Sequence, residues 1–411
     1  MKAVVFTLGC KVNEVESSSF IAALESWGAE VSEQLSPADI YVLNTCAVTR
    51  EAEKKSRQLI SRARKFNPDA LVYVCGCASQ KDEKAFKDKG VTYVCGAQGK
   101  AAMLCELAKL FGREYPLNTA CDNLPAPKNS RTRAFVKIED GCNNFCSYCV
   151  IPYLRGRVKS RPREEVVAEV FAADSPEVVL TGINISAYRC EAGGLDALLA
   201  SLSGTDARIR LGSVECTVVD EKFLAACKNL KNFAPQFHLS LQSGSTAVLK
   251  SMNRRYTREQ YLEKCGLIYK FFPEAAITTD IIAGFPAETE EDFEESLSII
   301  SEARLARVHA FAFSPREGTA AYKMKDLPPE VKSERLKRLI AEGEKAAYRF
   351  IDSQLPLPQQ VVWEEFDGKY TCGYTGGYIR AYAEGDFTGK VTNARLTGHF
   401  RDGAIAEIEE D

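Results

Sequence analysis

The 411-residue chain has no run of about 18 apolar residues, the length a membrane-spanning helix needs. Its start, MKAVVFTLGCKVNEVESS, also lacks the long apolar stretch of a signal peptide. The expectation is a soluble protein of a reducing compartment, the cytoplasm, with no membrane partner. An excess of charge of one sign is missing too: the formal net charge is −3, so the total names no partner. Cysteine, at 15 residues and an odd number, is too sparse for a small disulfide scaffold. Length sets the remaining bound. A chain this long exceeds what one hydrophobic core supports, so two or three domains are expected.

What is present is concentrated in EDGCNNFCSYCVIPYLRGRVKSRP, residues 139–162, where Cys142, Cys146 and Cys149 stand at the spacing CxxxCxxC. Positions i, i+4 and i+7 would also mark one face of a buried helix. Gly141, Asn143, Asn144 and Pro152 argue for a loop instead. Packed thiols in a reduced protein are soft ligands for an iron–sulfur cluster or zinc. A structural zinc site is normally closed by four ligands, and this stretch offers three cysteines and no histidine. Three ligands on a four-iron cluster leave one iron open for a substrate or cofactor.

Over the first 120 residues short apolar strands alternate with amphipathic helices, the pattern of an α/β layer around a parallel sheet. Strands are predicted at KAVVFTL, DIYVLNT, LVYVCG and VTYVCG, with helices around 17–26, 51–65, 80–89 and 100–111. Ligands of open parallel sheets bind outside the carboxyl ends of the strands. Cys10, Cys46 and Cys77 each lie just past such an end. Cys75 competes with Cys77 but shares the strand alternation of Leu71 and Tyr73, and Cys95 is a further candidate at the end of the fourth strand.

DNLPAPKNSRTR marks a linker between about 121 and 133, and a second αβ series follows, read as a domain over 128–353. Six strands with crossovers predict a partial α/β barrel, which puts the cysteine loop at its catalytic face. Polar groups past later strands, Asn184, Glu215, His238, Gln242, Asp280 and Arg316, are suited to orient a ligand, and Gly182, Gly244 and Gly284 to let one approach closely. Basic runs at 50–65 and 128–163, with Arg254 and Arg255 in MNRRYT, suggest an anionic partner such as RNA. A long amphipathic helix precedes Pro356, and 355–411 reads as a small all-β barrel. There Tyr374, Tyr378, Arg380 and Tyr382 would suit single-stranded nucleic acid, although the domain is acidic.

CNNFCSYC resembles the cluster loop of radical S-adenosylmethionine enzymes, with Tyr148 as the aromatic before the third cysteine. TLGCKVNEVES, NTCAVT and GCASQ resemble the N-terminal domain of the methylthiotransferases, and GYTGGYIRAYAE part of their C-terminal TRAM domain. The resemblance implies two [4Fe–4S] clusters, one on Cys142, Cys146 and Cys149 that chelates S-adenosylmethionine, and an auxiliary one on Cys10, Cys46 and Cys77. It also implies a cofactor pocket lined by Gly182, Asn184, Glu215 and Gly284, with Tyr148 and Gln242 counted among the cofactor-facing residues. Within the family the motifs look most like the branch that adds a methylthio group to C2 of N6-threonylcarbamoyladenosine at position 37 of tRNA. The implied partners are a tRNA anticodon stem-loop and a flavodoxin- or ferredoxin-like one-electron donor; the sulfur source is not specified. Sister branches act on isopentenyladenosine in tRNA or on an aspartate of a ribosomal protein. A non-catalytic iron–sulfur or zinc RNA-binding module is the reading from another class.

Overall fold

The computed structural model describes residues 1–115, 124, 132–355 and 357–409. The linker expected at 121–133, with Lys128 and Arg131 of the basic run, lies almost wholly outside them.

Five parallel strands open the chain: β1 (Lys2–Thr7), β2 (Glu30–Ser32), β3 (Ile40–Thr45), β4 (Leu71–Gly76) and β5 (Tyr93–Val94). Their order in the sheet is β2-β1-β3-β4-β5. Alternation puts Val4, Tyr41, Leu43, Val72 and Val74 on one face, packed with Leu59, Ile60 and Ala63 of the helix Arg50–Phe66. Val5, Val42, Tyr73 and Cys75 face the other way, against Phe20, Leu24, Leu104 and Leu107. Both faces are covered, so the strands read as nearly continuous apolar runs. Strand order reverses between β1 and β3, which opens the crevice where such sheets bind ligands. Cys10 and Cys46 follow those two strands.

Three expectations change here. The short strand β2 was not foreseen. The first helix starts at Lys11, directly after Cys10, rather than near 17. Its first turns carry Asn13, Glu16 and Ser17, which are buried although polar, so no apolar face announces them. The stretch 80–89 forms two short helices, Cys77–Lys81 and Glu83–Lys87, broken at Asp82, whose side chain caps the second by accepting from Ala85 N–H.

The middle of the chain contributes β6 (Arg133–Asp140), β7 (Lys159–Ser160), β8 (Glu177–Gly182), β9 (Arg208–Leu211), β10 (Ser213–Val214), β11 (Gln236–Leu239), β12 (Ala276–Ala283) and β13 (Arg307–Ala312). One sheet runs β7-β6-β8-β9 and a second β10-β11-β12-β13. All pairings are parallel except that of the unforeseen β7, which turns back on β6. β9 and β10 are one strand run that changes partner at Gly212, whose N–H donates to Leu180 O at 2.8 Å. The result is a partial six-stranded α/β barrel. Val136, Leu180, Phe237, Leu239, Ile277 and Ile281 face the surrounding helices in one core. The alternate residues face the lumen, where the helix Lys11–Ser26 packs on β6 and β8.

After the helix Pro329–Gln354, strands β14 (Pro358–Phe366), β15 (Tyr370–Thr375), β16 (Arg380–Glu384), β17 (Val391–Phe400) and β18 (Gly403–Ile408) close a barrel around Trp363. This barrel docks on the amino ends of the larger barrel's strands. Arg208 and Arg210, both bound to buried Glu177, donate to the carbonyls of Gln360, Tyr374, Thr375 and Gly376. Tyr374 and Tyr378 stack at 4.7 Å and are engaged by Arg133 and Arg210, while Tyr382 is buried with its hydroxyl on Asp402. The expected nucleic-acid face of tyrosines is therefore largely an internal junction.

Candidate functional site

The CxxxCxxC loop leaves the carboxyl end of β6 through Gly141, whose φ is +84°. A Cβ there would lie 2.2 Å from Arg157 O, so only glycine permits the turn. The segment is held as a loop by distant backbone rather than as a helix. Cys142 N–H donates to Gly156 O at 3.1 Å, Ser147 N–H to Met252 O at 3.0 Å, and Asn253 Nδ2 to Phe145 O at 3.0 Å. Cys142, Cys146 and Cys149 are free and half-buried. They sit close enough to feel one another: burial, then Cys146 and Cys142, push the Cys149 thiol up to about 12, and burial and Cys146 raise Cys142. Asn184 Nδ2 stands 3.9 Å from Cys142 Sγ and Arg254 Nη1 3.4 Å from Cys146 Sγ.

Cys10, Cys46 and Cys77 converge at the carboxyl edge of the first sheet. Gly9 (φ +116°) and Gly76 (φ +106°) precede two of them; a Cβ on Gly9 would lie 3.1 Å from Cys46 Sγ. The three loops are tied together by side chains. Asn13 Nδ2 donates to Leu8 O (2.7 Å) and Thr45 O (3.2 Å), Asn44 Nδ2 to Asn13 O (3.0 Å), and Thr45 Oγ1 to Cys75 O (2.6 Å). Burial raises the Cys10 and Cys46 thiols, and each also feels Cys77. Cys10 keeps an exposed surface, yet its surroundings still desolvate it. Cys75 points to the opposite face of the sheet, among Tyr73 and Leu104, away from the trio.

Both trios are all-thiol, undisulfided and mutually adjacent, which fits a thiolate-bound cluster. Among the described residues no three His, Cys, Asp or Glu side chains converge tightly enough to hold a single ion.

One buried arginine joins the two trios. Arg155, six residues past Cys149, donates to Asp140 (3.1 Å), to Glu16 (3.2 Å) and to Asn13 Oδ1 (2.5 Å). Its charge acts on Cys10 and Cys46. Glu16 in turn binds Lys100 at 3.0 Å and Lys137 at 3.4 Å. A second tie runs from Arg316, beyond β13, to Ala47 O (2.5 Å) and Glu53 (2.8 Å). Asn13, Glu16, Lys100 and Arg155 were not singled out from sequence. Asn13 and Glu16 sit in the first turns of the helix Lys11–Ser26, Lys100 opens the helix Lys100–Leu110 and Arg155 ends the short helix Ile151–Leu154, places where a polar residue is ordinary and carries no signal of burial.

The remaining predicted site residues divide. Glu215 accepts from Asn144 Nδ2 (2.6 Å) and pairs with Arg254 (3.2 Å), which places it at the cysteine loop along with Asn184. Tyr148 packs edge-on to Phe285. Gly182 lies against Glu139, whose Oε2 accepts from Asn184 N–H at 2.7 Å; burial pushes that carboxyl up to about 8. Gln242 continues the β12 edge in a left-handed conformation, φ +76°. Gly284 serves the turn against Lys332, since its own N–H donates to Glu288 at 2.8 Å and a Cβ would meet Lys332 Cγ at 2.4 Å. No described contact brings it to the cysteines. His238 pairs with Asp280 (3.3 Å) on the lumen face. Arg254, expected on a basic surface, is buried at Cys146, and Arg133, Arg155 and Arg161 are also spent on internal carboxylates.

A six-stranded barrel with three thiols at its catalytic mouth defines a protein of the radical S-adenosylmethionine class, and the Radical SAM superfamily matches residues 136–300. Residues 2–96 match the family described as uncharacterized protein family UPF0004. The chain belongs to the radical S-adenosylmethionine methylthiotransferase family. It is 34% identical, over its whole length and 98% of the relative, to the threonylcarbamoyladenosine tRNA methylthiotransferase MtaB of Bacillus subtilis. It is 36% identical, over 82% of its length and 68% of the relative, to the tRNA-2-methylthio-N(6)-dimethylallyladenosine synthase of Geobacillus kaustophilus. In fold it is similar to the cobalamin-dependent S-adenosylmethionine radical enzyme OxsB, with TM-score 0.54 and 13% identity over 85% of this chain and 57% of that one.

Proposed function

We propose that this enzyme adds a methylthio group to C2 of N6-threonylcarbamoyladenosine at position 37 of tRNA, taking the anticodon stem-loop as substrate. The observation that carries the reading is that buried Arg155 ties Asn13 and Glu16, which follow Cys10, to Asp140, which precedes Cys142, so that the loops of the two thiol trios share one set of buried contacts. Full-length similarity to the Bacillus subtilis enzyme supports the choice of adenosine. Cys142, Cys146 and Cys149 would hold one [4Fe–4S] cluster with an open iron for S-adenosylmethionine, and Cys10, Cys46 and Cys77 a second. When bound, these groups supply hydrogen abstraction at the adenine carbon and delivery of the methylthio group; a flavodoxin- or ferredoxin-like protein would supply electrons.

The chain's own residues position and insulate. Asn184 and Arg254 direct N–H groups at the Cys142 and Cys146 sulfurs, stabilising them as anions. Asn184, Glu215 and Gln242, with Gly182 and Tyr148, offer the polar and apolar walls for S-adenosylmethionine; Gly284 would act through the turn it allows. Arg155 and Asn13 hold the Cys10 loop against the Cys142 loop, so the distance between the two sites is set by buried charge. We assign residues 1–120 to the auxiliary site, 128–353 to the radical barrel and 355–411 to a TRAM-like domain.

Mass spectrometry of tRNA nucleosides from cells lacking the gene tests this. Loss of 2-methylthio-N6-threonylcarbamoyladenosine is expected. Loss of the dimethylallyl product instead, or intact tRNA with an unmodified ribosomal protein, would reject the assignment. Purified protein reconstituted anaerobically should hold about eight irons, from two four-iron clusters. Zinc without iron–sulfur absorbance would remove the enzyme reading altogether.

A further inference from the structure

Basic runs and the tyrosines of the terminal barrel are the chain's two expected contacts with RNA, and the fold turns much of both inward. Tyr374 and Tyr378 are engaged by arginines of the junction. Past the CxxxCxxC loop, Arg155 is buried on Glu16 and Asp140, Arg161 pairs with Glu165 and Glu169, and Arg163 pairs with Glu164 and Glu191. Arg157 and Lys159, between them, are exposed. Among the described residues neither makes an ion pair.

Two aromatic rings stand beside Arg157. Its guanidinium lies 4.3 Å from the centre of the Phe145 ring, and the Tyr153 ring meets Phe145 edge-on at 5.5 Å. Phe145 belongs to the CxxxCxxC loop itself, directly before Cys146. Its backbone is left-handed, φ +50°, which bulky residues rarely adopt, and Asn253 Nδ2 holds that turn by donating to the carbonyls of Asn144 (3.3 Å) and Phe145 (3.0 Å). Tyr153 sits in the short helix Ile151–Leu154 between Pro152 and Leu154, which are buried. Val150, Ile151 and Leu154 pack into the core of the first sheet, so the helix is anchored without Tyr153. At 62% exposure Tyr153 is the most open large hydrophobic residue described. An open ring that packing does not need, a second ring under a guanidinium and two unpaired cations form the combination that single-stranded nucleic acid meets. Its bases stack on aromatic faces while cations follow its phosphates.

We propose that Phe145, Tyr153 and Arg157 form a platform on which the RNA substrate stacks an unpaired base, with Arg157 and Lys159 supplying charge to the adjoining phosphates. The inference rests on the proposed tRNA substrate, whose anticodon loop carries unpaired bases, and adds where on this chain they dock. The electron-donating protein is the other macromolecule that approaches this loop. An open π-surface with cation–π support favours RNA, and the donor is kept as an outcome of the test.

Fluorescence anisotropy of the reconstituted protein, without reductant and hence without turnover, measures binding to an anticodon stem-loop carrying N6-threonylcarbamoyladenosine and to a blunt RNA duplex of equal length. Wild type should prefer the stem-loop. Tyr153→Leu should weaken the stem-loop about 5- to 100-fold, the range of one base–aromatic stack, and leave the duplex unchanged, while Tyr153→Phe should keep wild-type affinity. Arg157→Gln should weaken the stem-loop too, and lower the slope of log affinity against log salt by about 0.7, the share of one phosphate contact; Arg157→Lys should retain the slope. Iron content and cluster absorbance should match wild type throughout, since distant backbone holds the cysteine loop. Unaltered stem-loop affinity in Tyr153→Leu and Arg157→Gln overturns the inference, and slower reduction of the cluster by flavodoxin in those variants would then assign the surface to the electron donor. An equal loss for the duplex also overturns it, because no unpaired base is then being stacked. A wild type that binds no stem-loop overturns the substrate reading itself, and this inference with it.

Discussion

Glu16→Gln tests whether the contact between the two thiol sites is held by buried charge. Glu16 is 2% exposed, and its partners Lys100 and Arg155 are each 1% exposed. Neutralising it leaves Arg155 with Asp140 but Lys100 with only the Ala97 carbonyl, at 2.7 Å, among its described hydrogen bonds. Removing one partner of a buried pair costs about 3–5 kcal/mol. At about 2–4 °C per kcal/mol for a unit of roughly 150–250 residues, the melting midpoint should fall by roughly 6–20 °C. The double change Glu16→Gln with Lys100→Met should recover more than half of that, because no orphaned ammonium remains. Acid dependence supplies a second check. Burial pushes Glu16 up, but Lys100, Arg155 and Lys137 outweigh it and hold the carboxyl well below its usual range. A depressed folded pKa means the contribution is fully present above about pH 4.3 and is lost as pH falls towards the folded value. Wild type and variant should therefore differ at neutral pH and converge in strong acid. A midpoint shift under about 2 °C at neutral pH, or a double variant no more stable than the single, would refute the reasoning.

Cys146→Ala and Cys46→Ala should each leave about four irons of the expected eight, measured by iron assay after reconstitution. Cys146→Ala should abolish both S-adenosylmethionine cleavage and product, whereas Cys46→Ala should spare some cleavage and lose the product; full methylthiolation by Cys46→Ala would contradict the two-site account. Gly141→Ala places a Cβ 2.2 Å from Arg157 O at φ +84°, so it should lower iron binding at the CxxxCxxC loop while the auxiliary site keeps its share. Glu139, pushed up to about 8 by burial, binds its proton more tightly folded than unfolded. Its effect on stability therefore worsens as pH rises from about 4.3 to about 8, and Glu139→Gln should flatten that decline in denaturation midpoints.

Spacing and strand alternation made the two cysteine sets and most strands legible, because both are local patterns. β2 and β7 escaped because strands of three and two residues carry too little alternation to read. Direction was the larger blind spot. Arg155 and Arg254 looked like members of basic, solvated stretches, since sequence records a charge but not whether a carboxylate or thiol waits for it elsewhere in the fold. The same holds for Tyr374 and Tyr378, whose composition suited a nucleic-acid surface until the barrel docked on them. Gly284 shows the converse. A glycine past a strand suggested close approach to a cofactor, and its packing against Lys332 of the last long helix supplies a second reason for glycine that the sequence did not show.

The junction between the two barrels has a property that ordinary side-chain interfaces lack. Arg208 and Arg210 read main-chain oxygens at 360 and 374–376, so this part of the lock recognises the path of the chain, while Tyr374, Tyr378 and Glu364 meet Arg133 and Arg210 through their side chains. Side-chain changes at Gln360 and Thr375 that keep the backbone in place should therefore leave all four of these bonds intact, whereas a shift in the path of the chain would break them together.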